Sequence, residues 1–398
     1  MPVRALWQHL AARHGTPLWV YDAAVLDARI DEWRAAFAGR DFHLHYAVKA
    51  NGNLALLQRI ARAGLGFDVV SAGELARVER AGGDPARVVF SGVGKRADEV
   101  DAALAAGVAS LNVESESELE LVNARSLAAR VRAPVLLRVN PGVDAGTHPH
   151  IATGGHRDKF GIALADAPAA ARHAATLPGI DLRGLACHIG SQLLDLAPLR
   201  RALAHVLELH DALVASGLHL GTLDVGGGLG VRYRDELPSS VADYAAVVIA
   251  AVADRPLRVL AEPGRALVAE AGTLLTRVEA VKPGFIVVDA GMSDLIRPAL
   301  YDAWHPIEVI DGDAEPAPCD VVGPLCESGD VLGRARRLGA RRGDLVAIGC
   351  AGAYGAAMSS HYNARPRAAE VLVVDGVGHL VRARETVADL WRGEALLS

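Results

Sequence analysis

HLGTLDVGGG, residues 219–228, is a short run of β-forming residues that closes on consecutive glycines, the pattern of a strand ending in a tight turn. Runs of the same kind lie on both sides of it. They are HLHYAVKA at 43–50, GFDVVS at 66–71, RVVFSG at 87–92, SLNVES at 110–115, PVLLRVNP at 134–141, LRGLACHIGS at 182–191 and RPLRVLAEPG at 255–264. Ala/Leu-rich segments separate most of them. Their apolar residues recur at about one helical turn, as in Leu54, Leu57, Ile60 and Ala61, or Leu199, Leu203, Val206, His210, Leu213 and Val214. Strands alternating with amphipathic helices predict an α/β fold, a (β/α)8 TIM-like barrel over residues 22–268. His210, on the apolar stripe, reads as a structural histidine.

Beyond residue 268 the alternation stops. LLTRVEAV at 274–281, GFIVVDAG at 284–291, LVAIGCAG at 345–352 and AAEVLVVDG at 368–376 are shorter β segments with Gly/Pro punctuation, which predicts a second, mainly β C-terminal domain over 269–398. TPLWVYD can add a strand to it, so residues 1–21 are assigned there. The irregular stretch 141–161 reads as a long loop at the barrel mouth.

A chain of 398 residues, 51% hydrophobic, is long enough for two domains with sizeable cores. The formal charge of -6 and the lack of a basic block leave nucleic acid without an electrostatic footprint. No apolar run is long enough for a membrane span and the N-terminus lacks the pattern of a secretory signal, so the expected location is cytoplasmic. Cys187, Cys319, Cys326 and Cys350 make neither a dense disulfide framework nor a CxxC pair, which fits a reduced compartment; no metal site is assigned.

The C-terminal strand ends of such a barrel converge on one mouth. Here they deliver Lys49, Asp68, Arg138, His188, Ser191, Gly226, Gly227, Gly228, Glu262 and Arg265. Alone, a strand-end lysine is more often a surface cation, and a histidine more often a cap or core residue. Together they point to chemistry. VGGGLG at 225–230 lets backbone N–H groups approach an anion, and AEPGR at 261–265, with Pro263 and Gly264, can finish that nest; the turn is not a dinucleotide fingerprint. A phosphate nest plus Lys49 points to pyridoxal phosphate. The lysine can form a Schiff base with its aldehyde, Glu262 can keep the pyridine nitrogen protonated, His188 can stack on the ring and Ser191 can face the phosphate.

Several motifs, taken together, carry a resemblance: YAVKAN at 46–51, FDVVSAGE at 67–74, NVESESEL at 112–119, RVNPGVDAGTH at 138–148, KFG at 159–161, CHIGSQ at 187–192, DVGGGLG at 224–230 and EPGR at 262–265. DLIRPALYDAWH at 294–305, GPLCESGD at 323–330, GAYG at 352–355 and YNARPR at 362–367 continue it over almost the whole chain. The sequence resembles the diaminopimelate decarboxylase family, whose members join an alanine-racemase-like barrel to a β domain. The resemblance implies that Lys49 carries the cofactor, Glu262 meets the pyridine nitrogen and His188 stacks on the ring. It gives phosphate contacts to Ser191, the glycines through Gly228, Gly264 and Tyr354, and places Arg265 beside both phosphate and substrate. Asp68 and Arg138 become supporting polar residues. Arg297 and Tyr301, with Arg265, would hold the carboxylate remote from the reacting carbon. Cys326 would donate a proton and Glu327 would recognise the distal ammonium group, both in the partner's site of a head-to-tail homodimer.

The implied reaction is decarboxylation of meso-2,6-diaminopimelate to L-lysine. Competing readings are an ornithine, lysine or arginine decarboxylase, whose substrates lack a second carboxylate; an alanine racemase, in which arginine is expected in place of Glu262; and a non-catalytic pyridoxal-phosphate carrier.

Overall fold

The structure, a computed structural model, describes residues 2–144 and 159–397. The chain forms two compact units: one contains Ile30–Val231 and Leu237–Ala266, the other the chain up to Arg29, Arg232–Glu236 and the chain from Leu267 onward. Most of the 141–161 stretch lies outside the described residues.

The first unit is a closed barrel. Its strands are β1 (Phe42–Ala47), β2 (Gly66–Val69), β3 (Val88–Phe90), β4 (Ser110–Val113), β5 (Ala133–Asn140), β6 (Ile180–Ala186), β7 (Thr222–Asp224) and β8 (Arg258–Ala261). Each pairs in parallel with the next, and β8 returns to β1 through the register Val259↔Phe42. The barrel expected from the sequence is therefore present.

Period-two alternation turns every second side chain inward. Val89, Leu136, Ala186 and Leu260 form one buried apolar cluster. Two residues further along the same strand paths come Ser91, Arg138, His188 and Glu262, so a polar layer lies directly above an apolar floor. Asn112, near the end of β4, reaches Asp224 at the end of β7 with a 3.0 Å hydrogen bond from Nδ2 to Oδ2.

The helices bury one face each, but one stripe is rotated from the sequence expectation. In Leu54–Arg62 the buried residues are Leu56, Leu57 and Ile60, while Leu54 is 39% exposed. Asn53 caps this helix by accepting from the Ala55 N–H, so Leu54 sits in its first turn, away from the strands. Helix Ala197–Ala215 buries Leu199, Leu203, Val206, His210 and Leu213 but leaves Val214 exposed. His210 is held between the Leu220 carbonyl, 2.9 Å, and Asp211, 3.2 Å, in keeping with its structural reading.

The second unit is a mainly β body whose sheet is open. Leu18–Asp22 lies between Gly272–Lys282, antiparallel, and Ala369–Val374, parallel. Leu18, Val20, Leu275, Leu345, Val371 and Val373 form its core with Leu10 and Ala11 of helix Val3–His14. The sequence reading omits the strands Ile307–Val309, Ala317–Val322, Val331–Leu338 and Val377–Arg382. Three of these, Ile307–Val309, Val331–Leu338 and Val377–Arg382, each pair with a single neighbour among the described residues and so are edges of the sheet. Val331–Leu338 carries Arg334, Arg336 and Arg337, the kind of charge that keeps an edge from pairing further and hides its β character in sequence.

Candidate active site

The barrel mouth is built from the ends of the strands. A short 3-10 turn, Val48–Ala50, follows β1 and presents Lys49. Lys49 Nζ donates to Asp68 Oδ2 at 2.8 Å; Asp68 is completely buried, whereas the lysine side chain is 41% exposed. An amine oriented by a buried carboxylate on a side chain that solvent still reaches is suited to covalent work.

Arg138 is buried and donates through Nη1 to Glu114 Oε1 at 2.8 Å. The other Glu114 oxygen accepts from the Gly161 N–H at 3.0 Å, and the Arg138 guanidinium lies 4.9 Å from the centre of the Phe160 ring. His188 Nδ1 accepts from the Gly227 N–H at 3.2 Å. Burial first, then the charges of Arg138 and Lys49, push its pKa well below the ordinary value, so the ring is neutral. Accepting at Nδ1 fixes its proton on Nε2.

The glycine turn is packed to the limit of backbone contact. Gly226 and Gly228 have φ of 66° and 106°, and a Cβ on Gly227 would sit 2.2 Å from the Glu262 carbonyl oxygen. Arg265 Nη2 donates to Ser191 Oγ at 3.1 Å. Gly264 would bring a Cβ to 3.1 Å from the Cβ of both Ala47 and Ala50, and the Pro263 carbonyl accepts from the Ala47 N–H at 3.3 Å. These contacts join the end of β8 to the Lys49 turn.

Glu262 is the electrostatic anomaly. Its Oε1 is buried with no hydrogen-bond partner. Burial raises its pKa well above the ordinary carboxyl range, and the neighbouring Asp224 and Asp68 raise it further. Asp224 is buried, hydrogen-bonded to Glu262, and raised chiefly by burial. The sequence reading does not single out Asp224, Asn112 or Glu114 as site residues. Each lies in a quoted motif, and the alternation of inward positions along β7 and β4 is the signal that finds them.

The remaining candidates belong to the β unit. Arg297 opens the short helix Arg297–Tyr301 and is buried. Its Nη1 donates to His305 Nε2 at 2.8 Å, and its guanidinium lies 4.7 Å from the centre of the Tyr233 ring. His305 Nδ1 donates to the Gly349 carbonyl at 3.0 Å, which sets that tautomer. Tyr301 and Tyr354 are half-buried, and Tyr354 has φ of 56°. Cys326 and Glu327 are exposed. Their loop is anchored by Asp330, which accepts from the Met292 and Leu325 N–H groups at 2.6 and 2.7 Å, and by Asn363, which accepts from the Cys326 N–H at 2.9 Å. His305, Tyr233 and Asp330 also escape the sequence reading.

The barrel mouth offers an amine, a glycine turn with no room for side chains and a buried acceptor without a donor. These suit the aldehyde, phosphate and ring nitrogen of pyridoxal phosphate. Fold and site together define a pyridoxal-phosphate enzyme on an alanine-racemase-like barrel.

Comparisons narrow the class. Residues 23–269 match the family described as "Pyridoxal-dependent decarboxylase, pyridoxal binding domain". The diaminopimelate decarboxylase of Pseudomonas aeruginosa is 51% identical over 98% of this chain and 95% of its own. Among solved structures, the diaminopimelate decarboxylase of Helicobacter pylori complexed with L-lysine matches with a TM-score of 0.95 and 41% identity, covering 97% and 98% of the two chains. The diaminopimelate decarboxylase from m. jannaschii in co-complex with L-lysine gives 0.93 and 36%, covering 99% and 94%. The chain belongs to the diaminopimelate decarboxylase family.

Proposed function

We propose that this protein removes the carboxylate at the D centre of meso-2,6-diaminopimelate, giving L-lysine and carbon dioxide, with pyridoxal phosphate as cofactor. The observation that carries the reading is the buried, donorless Glu262 Oε1 in the same barrel unit as the Lys49–Asp68 pair. Such an acid keeps a pyridine nitrogen protonated; an arginine there would serve a racemase better. When bound, the cofactor supplies an electron-poor ring that accepts the electron pair left when the carboxylate departs.

The residue roles follow from this reading. Lys49 would hold the cofactor aldehyde and Asp68 orients its amine. His188, neutral, would cover the ring face. Ser191, Gly226, Gly227, Gly228, Gly264, Arg265 and Tyr354 would hold the phosphate. Arg297 and Tyr301, with Arg265, would bind the distal carboxylate, which ornithine, lysine and arginine lack. The departing carboxylate needs weaker binding, because only preferential stabilisation of the transition state accelerates its loss. Cys326 would donate the proton that replaces it and Glu327 would bind the distal ammonium group. Their exposed loop supports a head-to-tail homodimer in which each protomer completes its partner's site.

A substrate panel tests the proposal: the holoenzyme is given each diaminopimelate stereoisomer, lysine, ornithine and arginine, and carbon dioxide and product are measured. Release from the meso isomer alone is expected. Release from ornithine but not diaminopimelate overturns the substrate, and binding without release from any of them overturns catalysis.

A further inference from the structure

We infer that the Asp224–Glu262 pair stores a proton in the cofactor-free protein and delivers it to the ring nitrogen of the incoming cofactor, so that this nitrogen is not protonated from solvent. The inference rests on the pyridoxal-phosphate reading and deepens it.

Two buried carboxyl groups in hydrogen-bond contact must hold one proton between them, because both anions together would repel in a medium that solvates neither. Asp224 and Glu262 are such a pair. Among the described residues the nearby cations are engaged by other carboxylates. Lys49 is committed to Asp68 at 2.8 Å and Arg138 to Glu114 at 2.8 Å. Asp68, the other carboxyl group felt by both acids, raises their hold on the proton further, and the thiol of Cys187 and the phenol of Tyr244, which feel the pair, are themselves pushed toward their neutral forms by burial.

Geometry also says which acid keeps the proton. Asp224 Oδ1 accepts from the Gly226 N–H at 2.9 Å and Oδ2 from Asn112 Nδ2 at 3.0 Å. Two donors stabilise its anion. Glu262 Oε1 has none, so the proton resides on Glu262, and the raised pKa of that group agrees. When a basic ring nitrogen arrives, the Glu262 O–H bond breaks and an N–H bond forms on the nitrogen lone pair. The carboxylate then faces the cation it has made, and the charge of the barrel mouth is unchanged. Asp224 touches neither substrate nor cofactor in this scheme. It is a positioning residue that acts through Glu262, while its grip on the Gly226 N–H also sets the glycine turn.

Difference infrared spectroscopy of the full chain tests this at about pH 7, where an ordinary glutamate is ionised. The cofactor-free protein is compared with protein loaded with pyridoxal phosphate, and with a 1-deaza analogue whose ring has carbon in place of nitrogen. Loading is followed separately by visible absorbance and bound phosphate, so a failure to load counts against the cofactor assignment and not against the stored proton. The expected result is a protonated-carboxyl C=O band that shifts in heavy water, disappears on loading with pyridoxal phosphate, persists with the deaza analogue and gives no difference signal in Glu262→Gln. In Asp224→Asn the cofactor-free band should titrate away at lower pH than in the parent. A loaded parent protein whose difference spectrum shows no lost carboxyl band, or one lost equally with the deaza analogue, overturns the inference whether or not the variants fold.

Discussion

Gly227 is a residue at which the barrel mouth has little tolerance. A methyl group there would meet the Glu262 carbonyl oxygen at 2.2 Å, and because that atom is backbone, the end of β8 has to move. Overpacking of this kind costs about 1–3 kcal/mol, so Gly227→Ala should weaken cofactor binding by about 10- to 100-fold, read by fluorescence titration. Unchanged affinity would mean that the turn is not the phosphate nest. Glu114 sets a different kind of limit. It is the ion-pair partner of the buried Arg138, and Glu114→Ala leaves that guanidinium without its anion, at a cost of about 3–5 kcal/mol. The unfolding midpoint in denaturant should fall accordingly; a change below about 1 kcal/mol would show that Arg138 finds another anion. For Arg297→Ala the expectation is retained cofactor absorbance with turnover of diaminopimelate damaged more than any turnover of ornithine. Equal effects on both substrates would remove its distal-carboxylate role.

At the level of elements, what the sequence makes legible is the barrel. Lys49, His188, Gly226–Gly228 and Glu262 can be named because each ends a recognisable β run, and parallel barrel strands end on one side. Asp224, Asn112 and Glu114 are harder to see: their importance appears only once closure brings β4 across from β7 and period-two alternation is applied to both strands together. In the β unit the signal weakens further. Val331–Leu338 reads as a charged segment and Ala317–Val322 contains Pro318, so neither looks like a strand until its neighbours supply the hydrogen bonds. Asp330 is invisible for the same reason, since its value lies in two backbone N–H groups from segments 38 and 5 residues away in sequence. Hydrogen bonds to a charged group contribute about 1.5–3 kcal/mol each, so Asp330→Ala should free the loop carrying Cys326 and Glu327. The expected outcome is faster reaction of Cys326 with a thiol reagent in the full chain, against a Cys326→Ala control. An unchanged rate would assign the anchoring to Asn363 instead.

Across the whole molecule, buried titratable groups pull stability in opposite directions with pH. His45 is buried and its pKa is lowered from 6.5 to about 4, mainly by burial. The unfolded chain takes up this proton first, so the stability His45 contributes above pH 6.5 is lost as pH falls through about 4, by at most about 3 kcal/mol. Glu74 runs the other way. Burial raises its pKa from 4.5 to about 7, so the folded chain takes up its proton first, and the stability present below pH 4.5 is lost as pH rises through about 7. Between pH 4.5 and 6.5 the two slopes oppose, and replacing either group should expose the other. Relative to the parent protein, His45→Gln should gain stability as pH falls across that window and Glu74→Gln should lose it, with contributions from all other groups cancelling in the comparison. Denaturant midpoints of the cofactor-free proteins at both ends of the window decide the matter. Parallel curves for parent and His45→Gln would mean that His45 titrates in the folded chain as it does in water, and that water reaches the floor of β1.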